Sequence, residues 1–325
     1  MPSQVKKENI KSLFRYYSAD NYNLNWPYLF TLPFWLQSWW NVFGGESELM
    51  LRSVWHEGKL MGVAPLRKRI KEAFFIGSAD VCDYLDFIVQ EGEESNFFNT
   101  LIPGLRQEGI DKLILYAQRP EAAVFRLLAR ESIASEYRVN FEREDHAFEI
   151  TIPKDWNSYL ANLKKKQRHE VRRKLRRLEN ETENYSYRVI SEKKDIEHFL
   201  PRFLELFEQN PEKADFLTDN MERFFKTLIL EAADEGLARF GLLEVEGVTA
   251  AAILYFEYKK RVYLYNSGYS SDYASLSSGL LSKILSIKDS IEKEKSVYDF
   301  LKGREVYKSR LGGKAVPIYR VEMYL

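Results

Sequence analysis

The chain has a single cysteine, Cys82, so an intrachain disulfide and any zinc site built on paired cysteines are excluded. Its four histidines, His56, His146, His169 and His198, show no metal-ligand spacing, and no metal is expected. No run approaches the roughly 18 apolar residues of a membrane span. The longest candidate, Tyr28 to Trp40, is interrupted by Pro33 and Gln37. The lysines of the opening segment MPSQVKKENIKSLFRYY precede no apolar stretch, so no secretory signal is read and the chain reads as soluble and cytoplasmic. Without secretion, the glycosylation spacing at Asn180-Glu181-Thr182 is accidental. Surplus charge is lacking too: 48 Lys and Arg balance 48 Asp and Glu, which excludes a globally basic nucleic-acid binder. A phosphate-binding loop, a dinucleotide fingerprint, HExxH and a GxSxG elbow are all absent.

What is present is core material. The 325 residues are 45% hydrophobic, with 21 Phe, 20 Tyr and 6 Trp, which rules out a largely disordered chain. The length is about twice a typical domain. Residues 1–150 hold 17 basic against 21 acidic side chains and the remainder 31 against 27, a shift that falls near a boundary at Asp145 to Pro153.

Pattern along the chain predicts mixed structure. Pro33 to Val42 reads as a short aromatic helix. Leu49 to Glu57 and Leu60 to Arg67 read as strands joined by His56-Glu57-Gly58-Lys59. Phe74 to Gly77 and Tyr84 to Gln90 are further strands. Asn96 to Glu108 reads as a helix, Lys112 to Tyr116 as a strand, Glu121 to Ala129 as a helix and Phe141 to Ile152 as a strand. Trp156 to Asn180 is the strongest helical segment, with Leu160, Leu163, Val171, Leu175 and Leu178 as its apolar positions. Helices at Ile196 to Phe207 and Met221 to Glu235 follow. Leu237 to Val245, Thr249 to Tyr258 and Arg261 to Ser267 then form an antiparallel meander through the tight links Glu246-Gly247 and Lys259-Lys260. A helix from Ser278 to Glu294, a strand at Val297 to Leu301 and a strand at Pro317 to Leu325 complete the reading. The fold class is α/β (α+β).

Two segments carry chemistry. Between Lys164 and Arg177 stand nine Lys and Arg against one Glu, a local field that the global balance hides. It reads either as a solvated helix face, aided by Glu170 with Lys174 at i,i+4, or as a platform for phosphates of a cofactor, a polyanion or RNA. No aromatic is interleaved, so base stacking is not expected. At Ser277-Ser278-Gly279 small residues stand where a helix N-cap belongs; free amides and the helix dipole there suit a pyrophosphate, although such caps also occur without ligands.

Three strands, a helix and a further strand form the core order of the acetyltransferase fold. The downstream residues Asp299, Phe300, Lys302, Gly303, Glu305, Tyr307 and Lys308 resemble the motif D-F-x-R-G-D-x-x-Y-K of the FemAB-like acyltransferases of the GNAT superfamily, with Lys302 replacing its arginine. Gly268, Tyr269, Tyr273, Ser277 and Gly279 resemble its loop-helix motif, with Ser278 replacing a proline. The nearest branch is the CelD/BioF2-like group of polysaccharide and cell-envelope biosynthesis. Trp156 with the basic helix, Phe34 to Trp40, Gly58 to Leu66 and Asp83-Tyr84-Leu85-Asp86 extend the likeness to residues 30–325.

The resemblance implies tandem GNAT-like domains, each a mixed, mostly antiparallel sheet flanked by helices. They are expected at 1–147 and 148–325, with the last strand, 316–325, packing back on the first. It implies an N-acyltransferase moving an acyl group from acyl-CoA, such as acetyl-CoA, to an amine, for example an amino sugar. Catalytic candidates are Asp299 and Glu305 as proton acceptors, Lys308 as an oxyanion or phosphate partner and Tyr307 as a proton donor to the leaving thiolate. Ser277, Ser278, Gly279, Tyr269 and Lys302 are candidates for the donor site, and Asp83, Tyr84 and Asp86 for the acceptor. The usual acetyl-CoA pattern of Gln or Arg with two glycines is absent, which leaves the donor open. An aminoacyl-tRNA-dependent peptidyltransferase and a non-catalytic scaffold of a polysaccharide synthesis complex are the alternatives. Oligomeric state is not legible.

Overall fold

The computed structural model describes residues 3–128 and 137–325. The chain divides into two compact units, Met1–Asp145 with Pro317–Leu325, and His146–Val316.

The first unit runs β1 (Gln4–Lys7), α1 (Ile10–Ser18), β2 (Leu24–Asn25), α2 (Pro33–Phe43), β3 (Glu48–His56), β4 (Lys59–Arg69), β5 (Glu72–Phe75), β6 (Ile88–Gln90), α3 (Glu94–Gln107), β7 (Lys112–Gln118) and α4 (Ala123–Leu128). Pro33 opens α2, where its missing N–H costs nothing. Glu57 and Gly58 both take positive φ, which makes the β3–β4 link a tight hairpin turn whose twist matches the strands. β1, β3, β4 and β5 pair antiparallel in that order, and β7 joins β5 in parallel over only Glu72–Phe74 and Lys112–Ile114. Phe30, Trp35, Phe75, Phe87 and Phe97 are wholly buried between the helices and this sheet. The strand expected at Tyr84 to Gln90 pairs only from Ile88, and Ala129, the end of the helix expected from Glu121, lies outside the described residues.

The second unit takes β8 (Arg138–Thr151) from His146 onward, then α5 (Trp156–Asn162), α6 (Lys165–Glu181), β9 (Tyr185–Ile190), α7 (Lys193–Glu208), α8 (Pro211–Phe216), α9 (Asp219–Asp234), β10 (Ala238–Val245), β11 (Val248–Tyr258), β12 (Arg261–Tyr269), α10 (Ser278–Glu292), β13 (Val297–Lys302) and α11 (Val306–Arg310). β14 (Lys314–Tyr324) ends the chain and pairs antiparallel with β7 of the first unit from Tyr319. The order β9, β10, β11, β12, β13, β8 is antiparallel except between β12 and β13. Each unit is therefore a mixed, mostly antiparallel sheet flanked by helices, the fold class expected. In both, a three-strand meander is followed by a helix and a parallel strand.

The long helix expected from Trp156 breaks in two. Leu163 and Lys164 are extended, and Leu163 enters the core rather than continuing the turn. The gap of eight residues between Leu163 and Val171 in the apolar pattern marks this break. Below the sheet, α10 buries nearly its whole length, because Ser282, Ser286 and Ser290 at i,i+4 spacing leave room for close packing. Tyr298 on β13 seals that contact by donating to Ser286 Oγ at 3.1 Å.

Candidate active site

The second unit's parallel pair sets the site. β12 and β13 pair only over Arg261–Tyr263 and Val297–Asp299, although β12 continues to Tyr269 and β13 to Lys302. β13 meanwhile stays paired with β8. Past Asp299 the main chain of both strands therefore has polar groups with no ladder partner across the gap, and these need satisfaction elsewhere.

Three lysines supply it. Lys308 on α11 is 2% exposed; its ammonium donates to the carbonyls of Lys302 and, at 3.4 Å, Leu301, and pairs with Glu305 at 3.1 Å. Lys213 on α8 donates to Ser267 O at 2.5 Å and Asn266 Oδ1 at 3.3 Å. Lys283 on α10 is 7% exposed and donates to Ser267 Oγ at 3.0 Å and Gly279 O at 2.8 Å. It also lies 5.0 Å from the Tyr307 ring centroid. Burial pushes Lys213 down to about 8. Burial, with repulsion from Lys213, pushes Lys283 down to about 7.

The C-terminal motif is built around this gap. Asp299 is fully buried; Oδ1 accepts from Leu301 N at 2.8 Å and Oδ2 pairs with Arg261 at 3.0 Å. The first bond holds Leu301 at φ 63, a left-handed turn out of the strand. Gly303 follows at φ 120, and a Cβ there would run into Glu305 and Lys308, so this turn requires glycine. Glu305 is exposed, Lys302 half-buried, and Tyr307 packs edge-on against Phe300. Burial pushes the Tyr307 phenol up.

The donor-site candidates converge on the start of α10. Ser277 takes the left-handed conformation, and no side chain caps the helix. Ser278 is 1% exposed, and its hydroxyl has no hydrogen-bond partner. Tyr269 stands on Gly279 so closely that a Cβ there would meet its ring at 2.9 Å. The basic helix α6 reaches the same place. Lys174 donates to Ser277 Oγ at 2.7 Å, and Arg177 to Ser275 O at 3.0 Å. Glu170 pairs with Arg173 and Lys174 and is held down at about 2, chiefly by its hydrogen bonds from Arg173, while Arg177 pairs with Glu181.

Between α6, α10 and α11 opens a cavity of about 920 Å³. Val171, Leu280, Ile284, Tyr307 and Leu311 give it apolar walls, and Lys165, Lys166, Lys174 and Arg310 give it positive charge. Tyr307 thus has the cavity to one side and Lys283 over its ring.

Asp83, Tyr84 and Asp86 lie in the first unit. Asp83 is half-buried, and Tyr84 is fully buried beneath Arg119, 4.8 Å from its ring centroid. Asp86 is 1% exposed, accepts from Phe87 N at 2.8 Å and Ala123 N at 3.0 Å, and is pushed up to about 7 by burial. Lys213, Lys283 and His169, which lines the cavity, are site residues that sequence reasoning missed. For Lys283 one signal existed: it is a lone cation in the apolar stretch Leu280 to Ile287. Among the described residues no group of three or more His, Cys, Asp or Glu is arranged to hold a metal, and no helix is long and apolar enough to cross a membrane.

Residues 165–309 match the family model described as an acetyltransferase (GNAT) domain. Solved structures similar to the chain include that of FemX, at 12% identity and TM-score 0.64, covering 98% of this chain and 96% of that one. A conserved protein of unknown function from Bacteroides thetaiotaomicron aligns at 14% identity and TM-score 0.56, over 99% of each chain. L-PGS from Bacillus licheniformis aligns at 11% identity and TM-score 0.52, over 89% of this chain and 90% of that one. No curated protein matches the chain. At such identities the solved structures speak to the fold, and the domain match speaks to the chemistry. Residues 165–309 thus carry an acetyltransferase (GNAT) domain, within a chain whose fold is similar to that of FemX.

Proposed function

We propose that the chain transfers an acyl group from acyl-CoA to the amine of an amino sugar or another amine-bearing envelope or polysaccharide precursor. The observation that carries this reading is the uncapped start of α10, with the unpartnered Ser278 hydroxyl and Lys174 beside it, at the edge of an apolar cavity. A pyrophosphate suits the positive end of the helix dipole, the first-turn amides and the Lys174 ammonium. The apolar walls suit the pantetheine arm.

In the transfer the amine attacks the thioester carbonyl carbon, the C–N bond forms and the C–S bond breaks. The ammonium proton passes to a carboxylate and the CoA thiolate takes up a proton. Both Asp299 oxygens are engaged, whereas Glu305 is exposed and pairs with Lys308 through Oε2, so Glu305 is the better placed proton acceptor. Asp299 holds the turn that presents Glu305, Tyr307 and Lys308. Tyr307, kept protonated by burial, is the candidate hydrogen-bond donor to the leaving thiolate. Incubation with acetyl-CoA and a panel of amino sugars should release thiol. No turnover with several acyl-CoAs, together with no CoA binding by calorimetry, overturns the reading.

A second reading, transfer from aminoacyl-tRNA, draws on the other face of α6, where Lys165, Arg168, Arg172 and Arg176 line a shallow depression. It predicts tRNA binding that weakens steeply with salt. Micromolar CoA affinity without tRNA binding rejects it.

A further inference from the structure

Among the described residues, Lys283 is a buried cation and Lys213 a half-buried one, each without an acidic partner. Neither ammonium has a carboxylate within ion-pair distance among the described residues; their acceptors are one carbonyl, one hydroxyl and one amide oxygen around Ser267, and the Gly279 carbonyl. An ammonium carries three donors, and each of these spends two. Lys308, by contrast, uses two carbonyls and Glu305, so all three of its donors are spent. Glu305 is the carboxylate whose charge reaches Lys213 and Lys283, and it is already paired. Among the described residues the gap between β12 and β13 therefore holds three ammonium groups against one carboxylate. Buried unpaired charge of this kind is costly, and an incoming anion relieves it.

We infer that Lys213 and Lys283 form an anion site in the gap between β12 and β13 that takes a carboxylate or phosphate of the amine-bearing acceptor. The two ammoniums share Ser267, one on its carbonyl and one on its hydroxyl, so one anionic group completes both. Tyr307 joins this site to the cavity, since its ring faces Lys283 and also lines the cavity. Lys213 is half-buried and gives the site its solvent edge. The acceptor class that fits has an anionic group near its amine, with the anion on Lys213 and Lys283 and the amine toward Glu305. Binding recharges the lysines, so it takes up protons at alkaline pH; Glu305, Lys308 and Tyr307 are the other titratable groups facing Lys283.

This substrate class rests on the acyltransferase reading, but the site is testable without a donor. Calorimetric titration of the full chain at pH 8 with inorganic phosphate, and separately with acetate, in two buffers of different ionisation enthalpy reads both affinity and proton uptake. Wild type should bind at least one of these anions with net proton uptake. Lys283→Met and Lys213→Met should each weaken that binding at least tenfold and abolish the uptake. Lys226→Met, at an exposed lysine of α9, should leave both unchanged. Tighter phosphate points to a phosphorylated acceptor, tighter acetate to an amino acid. The Met variants should fold, since Met fills the lysine stem's space without its charge, and an unlowered melting temperature verifies this. No anion binding by folded wild type, or equal binding by Lys283→Met, overturns the site. Anion binding of this pattern without CoA binding would sink the donor reading and leave the site standing.

Discussion

The two units contain equivalent gaps and fill them differently. In the first, β5 and β7 separate after three paired residues, and the chain's own backbone enters: Leu85 N donates to Ala117 O at 3.1 Å and Gln118 Nε2 to Leu85 O at 2.6 Å. In the second, β12 and β13 separate after three, and lysine ammoniums hold the exposed polar groups. Buried charge follows the same division. Arg52 in the first unit makes a two-pronged pair with Glu108, Arg67 lies between the Trp39 and Phe74 rings, and Asp86 accepts amides from two residues. Arginine and amide-bound carboxylate are fixed solutions, whereas a buried lysine can change its charge. A filled gap is architecture; a gap lined with titratable cations is equipped to bind.

Four changes would break or sharpen that contrast. Glu108→Gln leaves the buried Arg52 guanidinium without its anion and should cost about 3–5 kcal/mol in urea unfolding. Lys283→Met should do the opposite. The folded chain disfavours protonated Lys283, and the unfolded chain stays protonated up to the usual lysine range. Wild type therefore carries the full cost below about pH 7 and is relieved as pH rises beyond it. At pH 6 the Met variant should be more stable by about 2–4 kcal/mol, with the difference shrinking by pH 10; a variant destabilised at pH 6 would make Lys283 a structural strut.

Asp86 carries the reverse slope. Its folded value is raised to about 7, so between about pH 4 and 7 the folded chain holds a proton that the unfolded chain has lost. Stability from this group is full below that window and is lost as pH rises through it. Asp86→Asn should flatten the slope by about 2–3 kcal/mol across the window in a pH series of melts. The smallest effect belongs to Lys174→Ala: acyl-CoA binding by calorimetry should weaken about tenfold, about 1.4 kcal/mol, with the melting temperature unchanged. A change in both would mean that the lysine braces the helix rather than the donor.

Much of both units was legible in the sequence because the signals are local. Glu57-Gly58 and Glu246-Gly247 take the positive φ pairs that tight hairpins need, and Lys259-Lys260 does the same without glycine. The alternating and helical apolar patterns placed β10 to β12 and α10 within a few residues. β1 and β9 escaped notice because a short polar strand, such as Gln4–Lys7 or Tyr185–Ile190, carries little apolar pattern and depends on a neighbour to pair with. The break at Leu163 escaped because helix propensity continues through it, and only burial of that leucine ends the turn.

The site divides the same way. Ser277–Gly279 and the basic helix stand in contiguous segments that residue type and spacing singled out, and the resemblance to a family motif singled out Asp299–Lys308. Lys213 did not announce itself, and Lys283 did so only as a lone cation in an apolar stretch, since a lysine in a helix is ordinarily a solvated residue. What buries them is the divergence of two strands joined over only three residues, together with three helices that bring ammonium groups to the freed carbonyls. Turn geometry, helix periodicity and local charge depend on near neighbours and can be read from the sequence by itself. Whether a cation lies in water or in a dry gap depends on partners tens of residues away, and the tertiary structure alone decided it.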